Sequence, residues 1–265
     1  MCTTCGCGPD QMLDHHHEHD VHDHSHDGHE HSHHHHDHEH APHSHTDGKR
    51  TVIAIEEDIL AKNNRLASFN RAMFKDKGIF VLNLVSSPGS GKTTLLERTL
   101  RDLSDRYRFS VIEGDQQTDN DAQRIAATGV TVRQINTGAG CHLDAHQVMH
   151  GTEAFDLDNL DILMIENVGN LVCPASFDLG EHHKVAVLSV TEGEDKPLKY
   201  PQMFHNSTVM LLNKIDLLPH LDFDVEKCKE YARRVNPAII IFEVSARSGE
   251  GMQNWYRWLG EGVVR

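Results

Sequence analysis

The sequence predicts an α/β domain with a mostly parallel sheet covered by helices on both faces. Two observations carry this prediction. First, apolar runs of strand length recur with little polar alternation: IFVLNLV (79–85), RFSVIE (108–113), VTVRQI (130–135), DILMIENV (161–168), KVAVLSV (184–190), TVMLLNK (208–214) and AIIIFEVS (238–245). Strands buried on both faces read this way. Second, stretches of helical character separate them, near 93–103, 121–127, 143–151, 224–235 and 250–260. Strands alternating with helices make parallel crossovers, and ligands of such sheets bind beyond the carboxyl ends of the strands. A further helix is expected from Glu56. Ile59, Leu60, Leu66, Phe69, Met73 and Phe74 recur there at helical spacing, and Gly78 is its expected stop.

The first fifty residues are of another kind. Residues 1–8 form a Cys/Gly-rich head, and 9–50 are low-complexity His and Asp with seventeen histidines between His15 and His45. Such a segment buries too little apolar surface to offset its ordering entropy, so it is expected to be disordered. The sheet domain is assigned to 51–265, about 215 residues, enough for one sizeable core. The net charge of −15 divides into −8 on residues 1–50 and −7 on the rest. An acidic surface argues against nucleic acid as the main partner. No apolar run is long enough to span a membrane and no signal-peptide core is visible, so the expectation is a cytoplasmic protein with reduced thiols and no membrane partner.

After the first apolar strand comes SSPGSGKTT (86–94). A glycine-rich turn followed by Gly-Lys-Thr at a helix start is a phosphate-binding loop. Its backbone N–H groups, from Gly89, Ser90 and Gly91 through Thr94, can close around phosphate oxygens. Lys92 reaches the terminal phosphates, and Thr93 offers its hydroxyl to Mg²⁺. Ser86 stands where the pattern usually begins with glycine. A second signal, NKID (Asn213, Lys214, Ile215, Asp216), follows an apolar strand. The Asp216 carboxylate can accept from two neighbouring donors on guanine, a pair adenine lacks, and Asn213 is expected at the opposite edge of the base. Ser245 and Ala246, after the last strand, complete a base-reading loop. These motifs favour GTP over ATP.

Magnesium and an attacking water need carboxylates near the last phosphate. Asp115 and Glu166 both lie at strand ends and are the candidate catalytic partners of Lys92. Glu166 stands three residues before Gly169, in the spacing of the GTPase Asp-x-x-Gly pattern. Asp119 and Asp121 fit helix capping and first-turn positions equally well as metal or water positioning.

A different donor set follows. Cys141 and His142 are adjacent, and Cys173 lies seven residues past Glu166. Both loops follow strands, and two thiolates with an imidazole suit Zn²⁺ or Ni²⁺. His146 and His150 follow His142 at i+4 and i+8, on the same side of an expected helix, so His146 joins the candidate ligands. In the head, Cys2, Cys5 and Cys7 with the terminal amine favour a square-planar Ni²⁺ site. The His/Asp tract has no fixed geometry and fits loose buffering of divalent ions. Cys228, alone in a helix, reads as packing.

Together these stretches resemble one family: the nickel-insertion GTPases of NiFe-hydrogenase maturation, the HypB type, within the SIMIBI class of P-loop GTPases. CTTCGCG, LNLVSSPGSGKTTLL, VIEGDQQT, NTGAGCHLDA, IENVGNLVCPASFDLGEHHKVAVLSVTEGEDKPLKYP and LLNKIDLLP carry the resemblance across the head and nearly all of 52–260. It implies slow GTP hydrolysis with Mg²⁺ and a GTP-promoted homodimer. It also implies delivery of Ni²⁺ with a partner metallochaperone of the HypA type to a hydrogenase large-subunit precursor. The head cysteines would be a tight Ni²⁺ site, and Cys141, His142 and Cys173 a second site near the dimer interface, holding Ni²⁺ or Zn²⁺. The extra lysine of some SIMIBI loops would fall at Ser87, so it is absent here. The alternatives are a urease-type nickel-insertion GTPase, disfavoured by the head and by the Cys141/Cys173 pair, and a nickel storage protein with weak GTPase activity.

Overall fold

A computed structural model of the chain describes residues 46–116 and 119–263, with side chains from Glu56 onward. Cys2, Cys5, Cys7 and the His/Asp segment lie outside the described residues. The chain divides after Glu56, and the second unit, Glu57–Arg265, is compact.

Seven strands form one sheet in the second unit: β1 (Phe80–Ser86), β2 (Phe109–Asp115), β3 (Thr131–Asn136), β4 (Ile162–Glu166), β5 (His183–Ser189), β6 (Val209–Asn213) and β7 (Ile240–Glu243). Every pairing is parallel, in the order β3-β2-β4-β1-β5-β6-β7. Each apolar run of the sequence became a strand. The connections contain α2 (Lys92–Leu103), α3 (Asn120–Ala126), α4 (Ala145–Thr152), α5 (Cys173–Ser176), α6 (Lys196–Lys199), α7 (Pro201–Asn206), α8 (Val225–Val235) and α9 (Met252–Gly262), and α1 (Thr46–Asp76) precedes the sheet. The short α5, α6 and α7 have no counterpart in the sequence reading, because four to six residues are too few to show a helical period.

Period-two geometry distributes the core. Phe80, Leu82 and Leu84 of β1 pack with Leu95, Leu96 and Leu100 of α2 and with Trp255 of α9. Val81 faces the other way, toward Phe74 of α1 and Val148 of α4, and Val85 packs with Met203, Phe204 and Cys228. The five inner strands are therefore buried on both faces, as continuous apolar runs require, while the edge strands β3 and β7 stay partly exposed. Cys228 is fully buried and its thiol is pushed up to about 12 by desolvation, in keeping with a packing role.

The first helix departs from expectation. Ile59 and Phe69 are exposed, at 51% and 60%, while Asn63, Ala67, Asn70 and Phe74 form the buried stripe. Two asparagines face inward because each satisfies backbone groups of neighbouring segments. Asn63 Oδ1 accepts from the Ala145 N–H at 2.9 Å and its Nδ2 donates to the Asp178 carbonyl at 2.8 Å. Asn70 Nδ2 donates to the carbonyls of Ala145 and Leu179. Among the described residues no helix is long and apolar enough to cross a membrane.

Candidate functional site: a phosphate loop beside a thiolate–imidazole group

The loop from Ser87 to Gly91 joins β1 to the N-terminus of α2. Gly89 and Gly91 have φ of 78° and 90°, the left-handed region that favours glycine. At Gly91 a Cβ would also lie 2.7 Å from Asn213 Nδ2. The guanine motif braces this loop. Asn213 Nδ2 donates to the Ser90 carbonyl at 3.0 Å, and Lys214 Nζ donates to the Gly89 carbonyl at 2.6 Å. The Ser90 hydroxyl is buried with no protein partner, an orphaned polar atom inside a loop built for an anion.

At the helix start, Lys92 Nζ lies 2.8 Å from Glu166 Oε1. Thr93 Oγ1 lies 2.6 Å from the same oxygen and 3.0 Å from Asp121 Oδ2. Glu166 is 1% exposed and its Oε2 is buried without a partner. A hydroxyl with two carboxylates is a hard-oxygen donor set that fits Mg²⁺. Asp121 thus supplies the second carboxylate against Thr93. Asp119 occupies the N-cap position of α3 and accepts from Gln123 Nε2. Asp115 ends β2, with β4 between it and the phosphate-loop strand. Its Oδ1 accepts from the Gln116 N–H, and its carbonyl accepts from the Thr137 N–H. Arg124 ties α3 to α2 through the Thr94 hydroxyl and Glu97.

Sequence reasoning missed Glu113. It is the register partner of Glu166 on the adjacent strand, is 2% exposed, and has a buried Oε2 with no partner. Burial first, and the neighbouring Glu166 carboxylate second, push its carboxyl up to about 8. Only its place in the VIE run marks it, as a charge inside an apolar strand.

At the base-reading edge, Ser245 Oγ donates to Asp216 Oδ1 at 2.6 Å and holds that carboxylate in place. Lys214 adopts φ 65°, the positive-φ non-glycine residue at the turn. Asn213 is 1% exposed and its Oδ1 accepts from the Ala246 N–H at 3.2 Å. Its amide joins the phosphate loop to the Ser245–Ala246 loop, a bracing role the sequence reading had not assigned to it.

The second donor set also assembles. Sγ of Cys141, a ring nitrogen of His142 and Sγ of Cys173 lie within 4.8 Å of one another. Cys141 and Cys173 are 7% and 5% exposed. Burial lowers the imidazole pKa of His142, with Lys184 acting in the same direction and Asp144 against it. A neutral ring is the ligating form. His146 is not part of this group. Helix α4 begins at Ala145 with Asp144 as its N-cap in a capping box, so His142 precedes the helix and the expected i+4 relation fails. His146 instead meets His150, Nε2 to Nε2 at 3.1 Å, on the exposed side of α4.

The loop around Cys173 is held by a residue the sequence did not reveal. Lys184 of β5 is 7% exposed, and its ammonium donates to the carbonyls of Pro174, Ala175 and Phe177 at 2.8, 3.2 and 3.0 Å. It thereby caps the turn that starts at Cys173. The Phe177 ring at the end of that turn lies 3.9 Å from the His142 ring. Gly169 packs against Pro88, where a Cβ would meet backbone and ring atoms at 3.3 Å, so the Glu166–Cys173 connection lies directly on the phosphate loop.

A parallel sheet carrying a phosphate loop, a braced guanine motif and a buried carboxylate against Lys92 and Thr93 defines a P-loop GTPase. The nucleotide-binding domain of the CobW/HypB/UreG family matches residues 80–243. The hydrogenase maturation factor HypB of Escherichia coli strain K12 is 53% identical, over 98% of each chain, and that of Azotobacter vinelandii is 67% identical over 78% of this chain and 69% of its own. A crystal structure of HypB from Helicobacter pylori in complex with nickel is similar with a TM-score of 0.72 and 40% identity, over 76% of this chain and 94% of that one. The chain belongs to the CobW/HypB/UreG family and, within it, to the HypB hydrogenase maturation factors.

Proposed function

We propose that this chain is a GTP-hydrolysing nickel metallochaperone that delivers Ni²⁺ during maturation of NiFe-hydrogenase. The observation that carries the reading is the assembled Cys141–His142–Cys173 group, whose Cys173 arm runs from Glu166 across the phosphate loop. Ni²⁺ is the cargo of this group, and Zn²⁺ suits the same soft donors. Lys92, Glu166 and Asp115 serve hydrolysis, with Mg²⁺ held by Thr93 and its neighbouring carboxylates. Asp216 reads guanine and is positioned by Ser245. Hydrolysis is slow, as the family resemblance implies, which would let the group hold its cargo until the nucleotide changes. GTP promotes a homodimer, and a HypA-type metallochaperone and the hydrogenase large-subunit precursor are the partners, in the cytoplasm. Residues 1–8, through Cys2, Cys5 and Cys7, form a tight Ni²⁺ site, 9–50 buffer nickel, and 51–265 act as the GTPase domain. Identity over almost the whole chain to the hydrogenase maturation factor of Escherichia coli, with the Cys141/Cys173 pair, favours hydrogenase over the urease-type alternative.

Glu166 occupies Lys92 and Thr93, which the terminal phosphate and Mg²⁺ would claim, so the nucleotide would compete with Glu166 for them and its state can shift the loop that carries Cys173. GTP turnover with and without Ni²⁺, in this chain and in Cys141→Ala, tests the reading. Turnover that responds to Ni²⁺ only when Cys141 is present supports it. An identical response in both chains overturns the coupling, and no turnover in either leaves a storage protein.

A further inference from the structure

Successive residues of a strand point to opposite faces of a sheet, so a dipeptide at a strand end can link two sites. Glu166 and Asn167 are such a pair. Glu166 continues the β4 face of Ile162 and Met164, toward α2 and the phosphate loop. Asn167 continues the opposite face, that of Leu163 and Ile165, which packs toward Leu143. The Asn167 N–H donates to the Leu84 carbonyl, so the ladder to β1 still holds it.

The Asn167 side chain is 1% exposed and both its Oδ1 and its Nδ2 are engaged. Its Oδ1 accepts from the Leu143 N–H, next to His142, and from the Val168 N–H, each at 3.0 Å. Its Nδ2 donates to Asn83 Oδ1 at 3.2 Å, and Asn83 Nδ2 donates to Glu181 Oε1 at 3.1 Å. That same Glu181 oxygen lies 3.9 Å from the Lys184 ammonium that caps the Cys173 turn. A buried polar chain therefore runs from the Cys141–His142 loop, through Asn167, to the clamp on Cys173. Buried amides are costly to leave unpaired, so displacing Asn167 must carry its partners with it or break these bonds.

We propose that Asn167 is a positioning residue that couples the nucleotide state sensed by Glu166 to the geometry of the Cys141–His142–Cys173 group. It touches neither nucleotide nor metal. On one face of the sheet the terminal phosphate would draw Lys92, and Mg²⁺ the Thr93 hydroxyl, away from the Glu166 carboxylate. The adjoining peptide carries that shift to Asn167 on the other face, which moves the Leu143 N–H and with it the His142 arm. This inference rests on the coupling advanced above.

The test uses the full chain with Cys2, Cys5 and Cys7 changed to Ala, so that thiolate-to-Co²⁺ charge-transfer absorption reports Cys141 and Cys173. Co²⁺ affinity is measured with GDP and with a non-hydrolysable GTP analogue plus Mg²⁺. The parent chain is expected to show at least about a five-fold difference between the two states. Asn167→Ala should bring that ratio to about one while keeping the charge-transfer band. Asn167→Asp, which still accepts from both N–H groups, should keep a difference. Asn167→Ser, too short to reach the Leu143 N–H, replaces the alanine variant if that chain does not fold. A parent-like ratio in Asn167→Ala or Asn167→Ser, including one in which both affinities fall equally, overturns the role of Asn167 and leaves the coupling intact. A ratio of one in the parent chain overturns the coupling itself, and this inference with it.

Discussion

The phosphate-loop edge and the proposed metal group sit on loops of one sheet but are held in different ways. The nucleotide loops brace each other with residues of their own motifs: Asn213 and Lys214 hold Ser90 and Gly89, and Ser245 holds Asp216. The metal loops are held from outside. Lys184 caps the Cys173 turn, and Asn63 meets the first N–H of the helix that follows Cys141 and His142. A motif that carries its own scaffold keeps its geometry in any chain with the same strands. A ligand set supported by distant polar side chains depends on the whole fold, and the fold can therefore act on it.

That contrast can be broken from either side, beginning with the largest effect. Lys92→Ala removes the preorganised charge at the terminal phosphates and should lower GTP turnover by about 10²–10³-fold in a phosphate-release assay. In the chain with Cys2, Cys5 and Cys7 changed to Ala, Cys173→Ala should weaken Co²⁺ binding, read by thiolate charge transfer, by at least about 10–100-fold in a competition titration, while GDP affinity is kept. If GDP affinity fell equally, the two regions would be one structural unit. Asp216→Asn replaces an acceptor of two guanine donors by an amide, and GDP affinity should drop by roughly 10–100-fold while the affinity for xanthine nucleotide, which offers a carbonyl there, rises.

Smaller effects sharpen the same comparison. In the folded protein Glu113 holds its proton to about pH 8, against an ordinary value of 4.5. The folded state thus binds more protons between these values, and stability falls as pH rises through that window. Glu113→Gln should flatten the profile by on the order of 1 kcal/mol in chemical denaturation, and an unchanged slope would show that the carboxyl ionises without cost. Phe69→Ser, on the exposed face of α1, should change stability by less than about 0.5 kcal/mol.

The difference between the regions also explains what was legible in the sequence. All seven strands were: in the five inner ones burial on both faces leaves a continuous apolar run that needs no partner to recognise, and the partly exposed edge strands β3 and β7 keep enough β-branched residues to show. The phosphate loop and NKID were legible because their spacing is local. Cys141, His142 and Cys173 were legible as residue types, and the sheet then brought them together. His146 was misplaced because the Asp144 cap starts the helix after His142. Lys184, Asn63, Asn70, Asn167 and Glu113 could not be found in advance. Each is a polar residue in an apolar setting whose partners lie far along the chain, and a lone asparagine in a helix more often faces water.

The sheet order has a further consequence for biosynthesis. β1 carries the phosphate loop, yet its neighbours are β4 and β5, and Phe80 pairs with Ile162. During translation the loop and its strand emerge long before either neighbour has been made. The nascent chain must keep an unpaired, largely apolar ribbon from associating while about eighty more residues are added. Competence to bind nucleotide arrives late in synthesis, and ribosome-bound intermediates cut short before β4 should be the species most in need of a holding chaperone.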